Sequence, residues 1–281
     1  MLLVSIMPIH LDWPPERTPS VEQEYGVYAE IYDLTIGVRT VDVDFYVANA
    51  RATLPAAGVV LELGTGTGRM AERLVDAGFR VVGVDSSREM LARAEGRAAH
   101  AEGRFEPVRC DVRTMALGRT FRMAIAPFAM MAHLLTERDR LDTMRAVLAH
   151  LEPGGVFLYD DIPGWLSGPS NGEHLEVIRT TDDPVTGMQV RLMATTVDVA
   201  REPLTATYYF IDWLEEQRLV RRLVARHVFR NTALDDELGW LREAGFERVE
   251  LVGGFDGRPF DREHPAANER LILRCHKPSA P

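Results

Sequence analysis

Only two cysteines occur in the 281 residues, Cys110 and Cys275, and they stand far apart. Such a pair supplies neither a disulfide framework nor a thiolate metal site, so both are expected as small buried apolar side chains. The eight histidines are scattered without metal-ligand spacing, and no metal is expected. Long hydrophobic runs are missing too, since no stretch reaches the ~18 apolar residues of a membrane span. The apolar start Met1–Ile9 has no basic leader and is interrupted by Pro8, so no signal peptide is expected and a reducing cytoplasm is the expected compartment. Positive charge is in deficit, with 32 basic against 42 acidic residues and a net charge of −10. A chain that binds a phosphate backbone shows a basic face. Only Arg221, Arg222, Arg226 and Arg230 offer one here, so neither nucleic acid nor membrane is expected as a partner. There is no internal repeat and no low-complexity tract.

The composition is 46% hydrophobic, enough for a packed core. The most informative stretch is VVLELGTGTG, Val59 to Gly68. An apolar run ends at Glu62, then Gly64, Gly66 and Gly68 alternate with Thr65 and Thr67, and an amphipathic stretch follows. This pattern reads as a buried strand, a tight turn and a helix start, which lets backbone approach a ligand closely. A dinucleotide fingerprint would need a small residue where Arg69 stands, and a phosphate loop would need a Gly-Lys-Ser/Thr that is absent.

Two acids follow in series. VVGVD, Val81 to Asp85, is a second buried-strand run with its acid 21 residues after Gly64, followed by Ser86. An acid at the tip of the second strand of a doubly wound sheet accepts from ribose hydroxyls. Asp111, followed by Val112, comes after the strand-like Phe105–Arg109 and is placed to accept from an adenine amino group.

The rest of the pattern alternates. Glu22–Leu34 and Val41–Leu54 read as leading helices. Strands are expected at 58–63, 80–84, 105–109, 121–126 and 155–160, with helices at 68–77, 87–98 and 137–151. Thr136 and Asp139 resemble a capping box at the start of the last helix, and Pro153-Gly154-Gly155 end it. This predicts an α/β fold with a doubly wound, mainly parallel sheet. Residues 165–231 break the rhythm: Gln189–Val199, Leu204–Trp213 and Leu219–Phe229 read as an inserted antiparallel sheet. Then come a helix Leu234–Ala244 with Gly245 as its C-cap, and strands Val249–Val252 and Glu269–His276.

LELGTGTG, VVGVDSSREML, RCDV, FAMMAHLLT and LEPGGVF together resemble the class I S-adenosylmethionine (SAM) dependent methyltransferases, over roughly Tyr25 to Lys277. EYGVYAEIYDL, Ala132-His133-Leu134 and the turn Gly253-Gly254-Phe255-Asp256-Gly257-Arg258 resemble the N-methyltransferases of nucleotide-linked amino sugars. Where those enzymes carry acid-Pro-Trp-Trp, this chain has Tyr159-Asp160-Asp161-Ile162-Pro163. The resemblance implies SAM as cofactor, converted to S-adenosylhomocysteine (SAH). It implies a SAM-binding domain of 21–164 and 232–277, after an arm at 1–20 expected to be mobile. The insert 165–231 is expected to cap the acceptor or to make a homodimer interface. SAM is expected on Glu62, Gly64, Thr65, Gly66, Gly68, Asp85, Ser86, Asp111 and Val112.

Methyl transfer is an in-line displacement, and alignment alone can lower its barrier by ~7–11 kcal/mol. An amine acceptor need only be neutral; a hydroxyl needs a base more strongly. His133, just beyond the fourth strand, is the candidate base or orienting group, since an unperturbed pKa of ~6.5 suits proton transfer at neutral pH. Tyr25, Tyr28 and Tyr32 share one helical face and are candidate acceptor contacts, with Tyr25 implied at the acceptor by the resemblance. Met130, Asp160 and Arg258 complete the candidate substrate set, the arginine as an implied diphosphate partner. The expected activity is methylation of an amine or hydroxyl on a small natural-product or nucleotide-sugar acceptor. The alternatives are an aromatic or heterocyclic acceptor, suggested by Met130 and Met131, or a SAM-binding protein without methyl transfer.

Overall fold

The computed structural model describes residues 21–35, 40–161, 175–198 and 203–279. The expected arm at 1–20 and the boundary at 164/165 lie outside the described residues. Two leading helices, α1 (Val21–Thr35) and α2 (Val43–Thr53), precede the alternating units. These are β1 (Val59–Leu63), α3 (Arg69–Asp76), β2 (Arg80–Asp85), α4 (Arg88–His100), β3 (Phe105–Arg109), β4 (Phe121–Ala126), a 3-10 turn at Met130–His133, α5 (Glu137–His150) and β5 (Leu151–Asp161). Strands β6 (Glu176–Asp182), β7 (Gln189–Asp198), β8 (Leu204–Glu215) and β9 (Arg218–Arg230) follow. The chain then returns through α6 (Leu234–Ala244), β10 (Arg248–Val252) and β11 (Leu271–His276).

The main sheet has the order β10-β11-β5-β4-β1-β2-β3. Strands β1 to β5 pair in parallel, and β11 runs antiparallel to both its neighbours. Central strands such as β1 are apolar apart from Glu62 because both faces are covered. One face packs Met144, Val147, Trp240 and Leu241 of α5 and α6. The other packs Tyr46, Met70, Leu74 and Leu91 of α2, α3 and α4. The second sheet, β6-β7-β8-β9, is antiparallel throughout. Its inner face buries Val190, Leu192, Ile211, Trp213 and Ala225 against Tyr28 and Ile31 of α1. The inserted sheet is thereby tied to the leading helix.

Local signals act where expected. Thr136 Oγ1 accepts from the Asp139 N–H at 3.0 Å, and Gly245, with φ of 108°, ends α6 in a left-handed cap. Lys277, the only lysine of the chain, donates to the Leu148 and Leu151 carbonyls at 2.9 and 2.7 Å. Two expectations shift. Strand β5 begins at Leu151 and runs through Pro153-Gly154-Gly155, with a register shift opposite Phe121/Met123 that absorbs the extra residues. Strand β6 was not expected; it is an exposed edge of mainly polar residues without clear apolar alternation.

Asp161, at the end of β5, accepts from the fully buried Arg140 at 2.5 Å. Arg140 also pairs with Glu237 of α6, which in turn accepts from the Tyr159 hydroxyl at 2.5 Å. This buried network joins α5, β5 and α6. Among the described residues no helix is long and apolar enough to cross a membrane.

Candidate active site

The carboxyl ends of β1, β2 and β4 open into a cavity of about 460 Å³, where a doubly wound sheet places its ligands. Gly64 and Gly66 line it, with φ of 63° and 57°, a conformation that side chains with a Cβ rarely adopt. A Cβ on Gly64 would collide with the Met130 side chain, whereas one on Gly66 would meet only the Gly64 carbonyl oxygen, at 3.9 Å. A Cβ at Gly66 would therefore stand in space that a ligand can use.

Asp85 ends β2 beside this turn. Its carboxylate accepts from the Gly66 N–H at 2.8 Å and the Ser87 N–H at 2.9 Å, and it lines the cavity. Ser86, Asp111 and Val112 also line the cavity. Both Asp111 oxygens are held by Arg113, at 2.9 and 2.6 Å, and this hydrogen bonding keeps the carboxyl below its ordinary range. Glu62, Thr65 and Gly68 lie behind the cavity wall. Burial pushes the Glu62 carboxyl up to about 8, against the opposing hydrogen bond from Thr65 Oγ1 at 2.9 Å. Gly68 caps α3 with φ of 85°. Cys110, expected to be buried, is half-buried and lines the cavity, whereas Cys275 is buried as expected.

At the far end the Tyr25 hydroxyl and His133 Nε2 are hydrogen-bonded at 2.8 Å. Both residues line the cavity, as do Tyr32, Phe128, Met130 and Leu134. Behind the pair stands β9. The Tyr25 ring lies 4.5 Å from the His227 ring, and the His133 ring 4.7 Å from Phe229. His133 Nδ1 and His227 Nε2 are buried without a hydrogen-bond partner among the described residues. Burial drives the His133 imidazole down to about 4. His227 falls to about 3, through burial first and the neighbouring His133 second. The expectation of a histidine titrating near neutrality is corrected accordingly: among the described residues no charged partner offsets the burial of His133. Burial raises the Tyr25 phenol well above its ordinary value and takes Tyr32 to about 12, against the pull of Arg69.

Three sequence candidates fall away from the cavity wall. Tyr28 is buried in the inserted-sheet core, with its hydroxyl 3.2 Å from Thr35 Oγ1. Asp160 is fully buried and already accepts three hydrogen bonds, from Tyr46 Oη at 2.7 Å, Phe128 N at 2.7 Å and Ala129 N at 3.1 Å. Arg258 is exposed on its own turn and paired with Asp256 at 2.8 Å and Glu269 at 3.3 Å. Each is engaged by groups of the protein itself, and none lines the cavity.

Sequence reasoning missed His227 and Phe229, which an alternating strand carries inward, and it missed the clamp on the glycine turn. Thr67 Oγ1 donates to Asp33 of α1 at 2.7 Å, Arg97 donates to Asp33 at 3.1 Å, and Arg69 pairs with the buried Asp42 at 2.6 and 2.8 Å. These polar pairs seat α1 and the segment before α2 over the turn. They join residues 27 to 64 positions apart, which no local pattern announces.

Residues 60–155 match the family model described as a methyltransferase domain. A putative methyltransferase, YqeM, of Bacillus subtilis is 29% identical over 140 residues, 48% of this chain and 54% of the relative. The dTDP-3-amino-3,4,6-trideoxy-alpha-D-glucopyranose N,N-dimethyltransferase of Streptomyces venezuelae is 29% identical over 148 residues, 49% of this chain and 57% of the relative. The chain thus spans about half the length of these curated relatives. The solved CcbJ methyltransferase of Streptomyces caelestis superposes with a TM-score of 0.76 at 25% identity, covering 92% of this chain and 98% of that one. The glycine turn, Asp85 and the open space at Gly66 fit an adenosyl cofactor, and the chain has the fold of the class I SAM-dependent methyltransferases, with residues 60–155 matching a methyltransferase domain.

Proposed function

We propose that this chain transfers a methyl group to an amine nitrogen of a small molecule. One observation carries the reading: a single cavity joins the Gly64–Gly66 turn and Asp85 at one end to the Tyr25–His133 pair at the other. When bound, SAM supplies an electrophilic methyl on a sulfonium. Asp85 would accept from its ribose hydroxyls, and Asp111 and Val112 would flank its adenine. Tyr25 and His133 then face the acceptor. With an imidazole driven down to about 4 and a phenol raised by burial, the pair is neutral at pH 7. Neither member of the pair therefore sets a positive charge beside the sulfonium.

That neutrality favours an amine over a hydroxyl. A neutral amine carries its own nucleophilic lone pair, and the proton it would shed once methylated can pass to solvent. Tyr25 and His133 need only hydrogen-bond the nitrogen and align it. A hydroxyl would need a stronger base than an imidazole near 4. The Streptomyces venezuelae relative, an amino-sugar N,N-dimethyltransferase by name, supports the same choice. A second reading, an aromatic or heterocyclic acceptor, is favoured by Phe128, Met130 and Leu134 on the cavity wall.

We take the β6–β9 sheet as a cap on the acceptor rather than a dimer interface, because β9 itself supplies the rings against Tyr25 and His133. The net charge of −10 argues for a small molecule over nucleic acid, and the free thiols fit a cytoplasmic setting. The test is transfer of labelled methyl from SAM to a panel of amino sugars, other amines, and aromatic and heterocyclic acceptors. Label should enter amines. Label only in the aromatic or heterocyclic acceptors would favour the second reading, and binding without transfer to any acceptor would leave a SAM-binding protein.

A further inference from the structure

Directly after β4 the chain takes a conformation that its residues do not favour. Phe128 and Ala129 have φ of 60° and 56°. For residues with a Cβ this left-handed region is disfavoured, and two in succession persist only when the surroundings over-determine them. Here the surroundings are one carboxylate. Asp160, fully buried on β5, accepts from both offending residues, Phe128 N at 2.7 Å and Ala129 N at 3.1 Å. Tyr46 of α2 donates to the same carboxylate at 2.7 Å. Successive N–H groups in a turn of this kind converge on an anion, and the neighbouring strand supplies that anion.

The turn leads straight into the 3-10 segment Met130–His133. Phe128, Met130 and His133 all line the cavity. The Met130 side chain occupies the space where a Cβ on Gly64 would sit, so the turn also packs on the glycine turn. We propose that Asp160 is a positioning residue: its carboxylate holds the left-handed turn that sets Met130 against the glycine turn and aims His133 at Tyr25. Asp160 touches nothing in the cavity and acts through two backbone N–H groups. The acid at the tip of β5 thus shapes the site from behind.

The test compares wild type, Asp160→Asn, Ala129→Gly and the double variant. Asparagine keeps the size but turns an amide nitrogen, a donor, toward a backbone N–H. Glycine takes the left-handed conformation without a Cβ penalty. In ¹H–¹⁵N spectra of the wild type, the Phe128 and Ala129 amide protons should lie far downfield, as carboxylate-bonded amides do, and should move upfield in Asp160→Asn. SAH affinity by calorimetry should fall about tenfold in Asp160→Asn. In the double variant it should return to within about threefold of wild type, because the strain is relieved at its source.

Ordinary amide shifts in the wild type would overturn the proposal, and so would unchanged SAH affinity in a folded Asp160→Asn. If Asp160→Asn does not fold, Ala129→Gly must restore folding; failure to do so also overturns it. The affinity readout rests on the cofactor reading of the site, whereas the amide shifts do not. A wild type that fails to bind SAH but shows the downfield amides would sink the cofactor reading and leave Asp160 in its role.

Discussion

His227 offers a sharp perturbation because it is buried, unpartnered at Nε2 among the described residues, and packed on Tyr25. Its folded value, about 3, lies below the 6.5 of the free side chain. Between those two values the unfolded chain holds the proton and the folded chain does not. Stability from this site is therefore fully present above pH 6.5 and is lost as the pH falls toward 3, with a slope of about 1.4 kcal/mol per pH unit. From pH 7 to pH 5 the loss works out at about 2 kcal/mol. The result hardly depends on the folded value, which sits far below that window. Phenylalanine removes the titration while keeping a ring against Tyr25. Urea unfolding followed by circular dichroism at pH 5, 6 and 7 should then show wild type losing about 2 kcal/mol more than His227→Phe. The other titrating groups are shared, so to first order they cancel in the difference. Parallel pH dependences would refute the reasoning, and would mean that β9 does not hold a neutral histidine behind the acceptor end.

His133 should behave as an aligning group: His133→Gln lowers turnover on an amine acceptor by about tenfold, well short of the ~10²–10⁴ typical of a lost general base. Wild-type rates should show no inflection near pH 6.5, because the imidazole near 4 stays neutral; an inflection there that vanishes in the variant would restore the base assignment. Gly66→Ala, at φ of 57° and with its new methyl in the cavity, should weaken SAH binding by about tenfold or more, read by calorimetry. Arg140→Ala leaves Asp161 and Glu237 buried without their cation and should lower unfolding stability by about 3–5 kcal/mol in urea.

The cofactor end of the site was legible because its chemistry is local. Gly64, Gly66 and Gly68 answer a backbone need within one turn, and Asp85 follows from its place at a strand tip. The Tyr25–His133 contact joins residues 108 positions apart; strand position points to His133 and the family resemblance to Tyr25, but no spacing rule pairs them. His227 sits among Val, Arg and Phe on an ordinary alternating strand, so its inward direction depends on a register that only the folded sheet sets. The β6 edge strand lacked an apolar face to announce it. Asp160 stands at the tip of β5, where an acid can face a ligand. What recruits it is the left-handed pair Phe128–Ala129, and neither residue type signals that conformation. Burial, finally, changes the chemistry expected of His133: it lines the cavity, as its place beyond β4 implies, but its low proton affinity comes from burial that the sequence does not display.

The most direct test of the central claim is calorimetric titration of the wild type and Asp85→Ala with SAM and SAH. Asp85 ties the Gly66 and Ser87 N–H groups together and, on the proposed reading, would accept from ribose hydroxyls. Wild type should bind both ligands at a single site, and Asp85→Ala should lose about 100-fold in affinity, in line with removing hydrogen bonds to a charged group at 1.5–3 kcal/mol each. Absence of binding by the wild type, or equal affinity in the two proteins, would contradict the account.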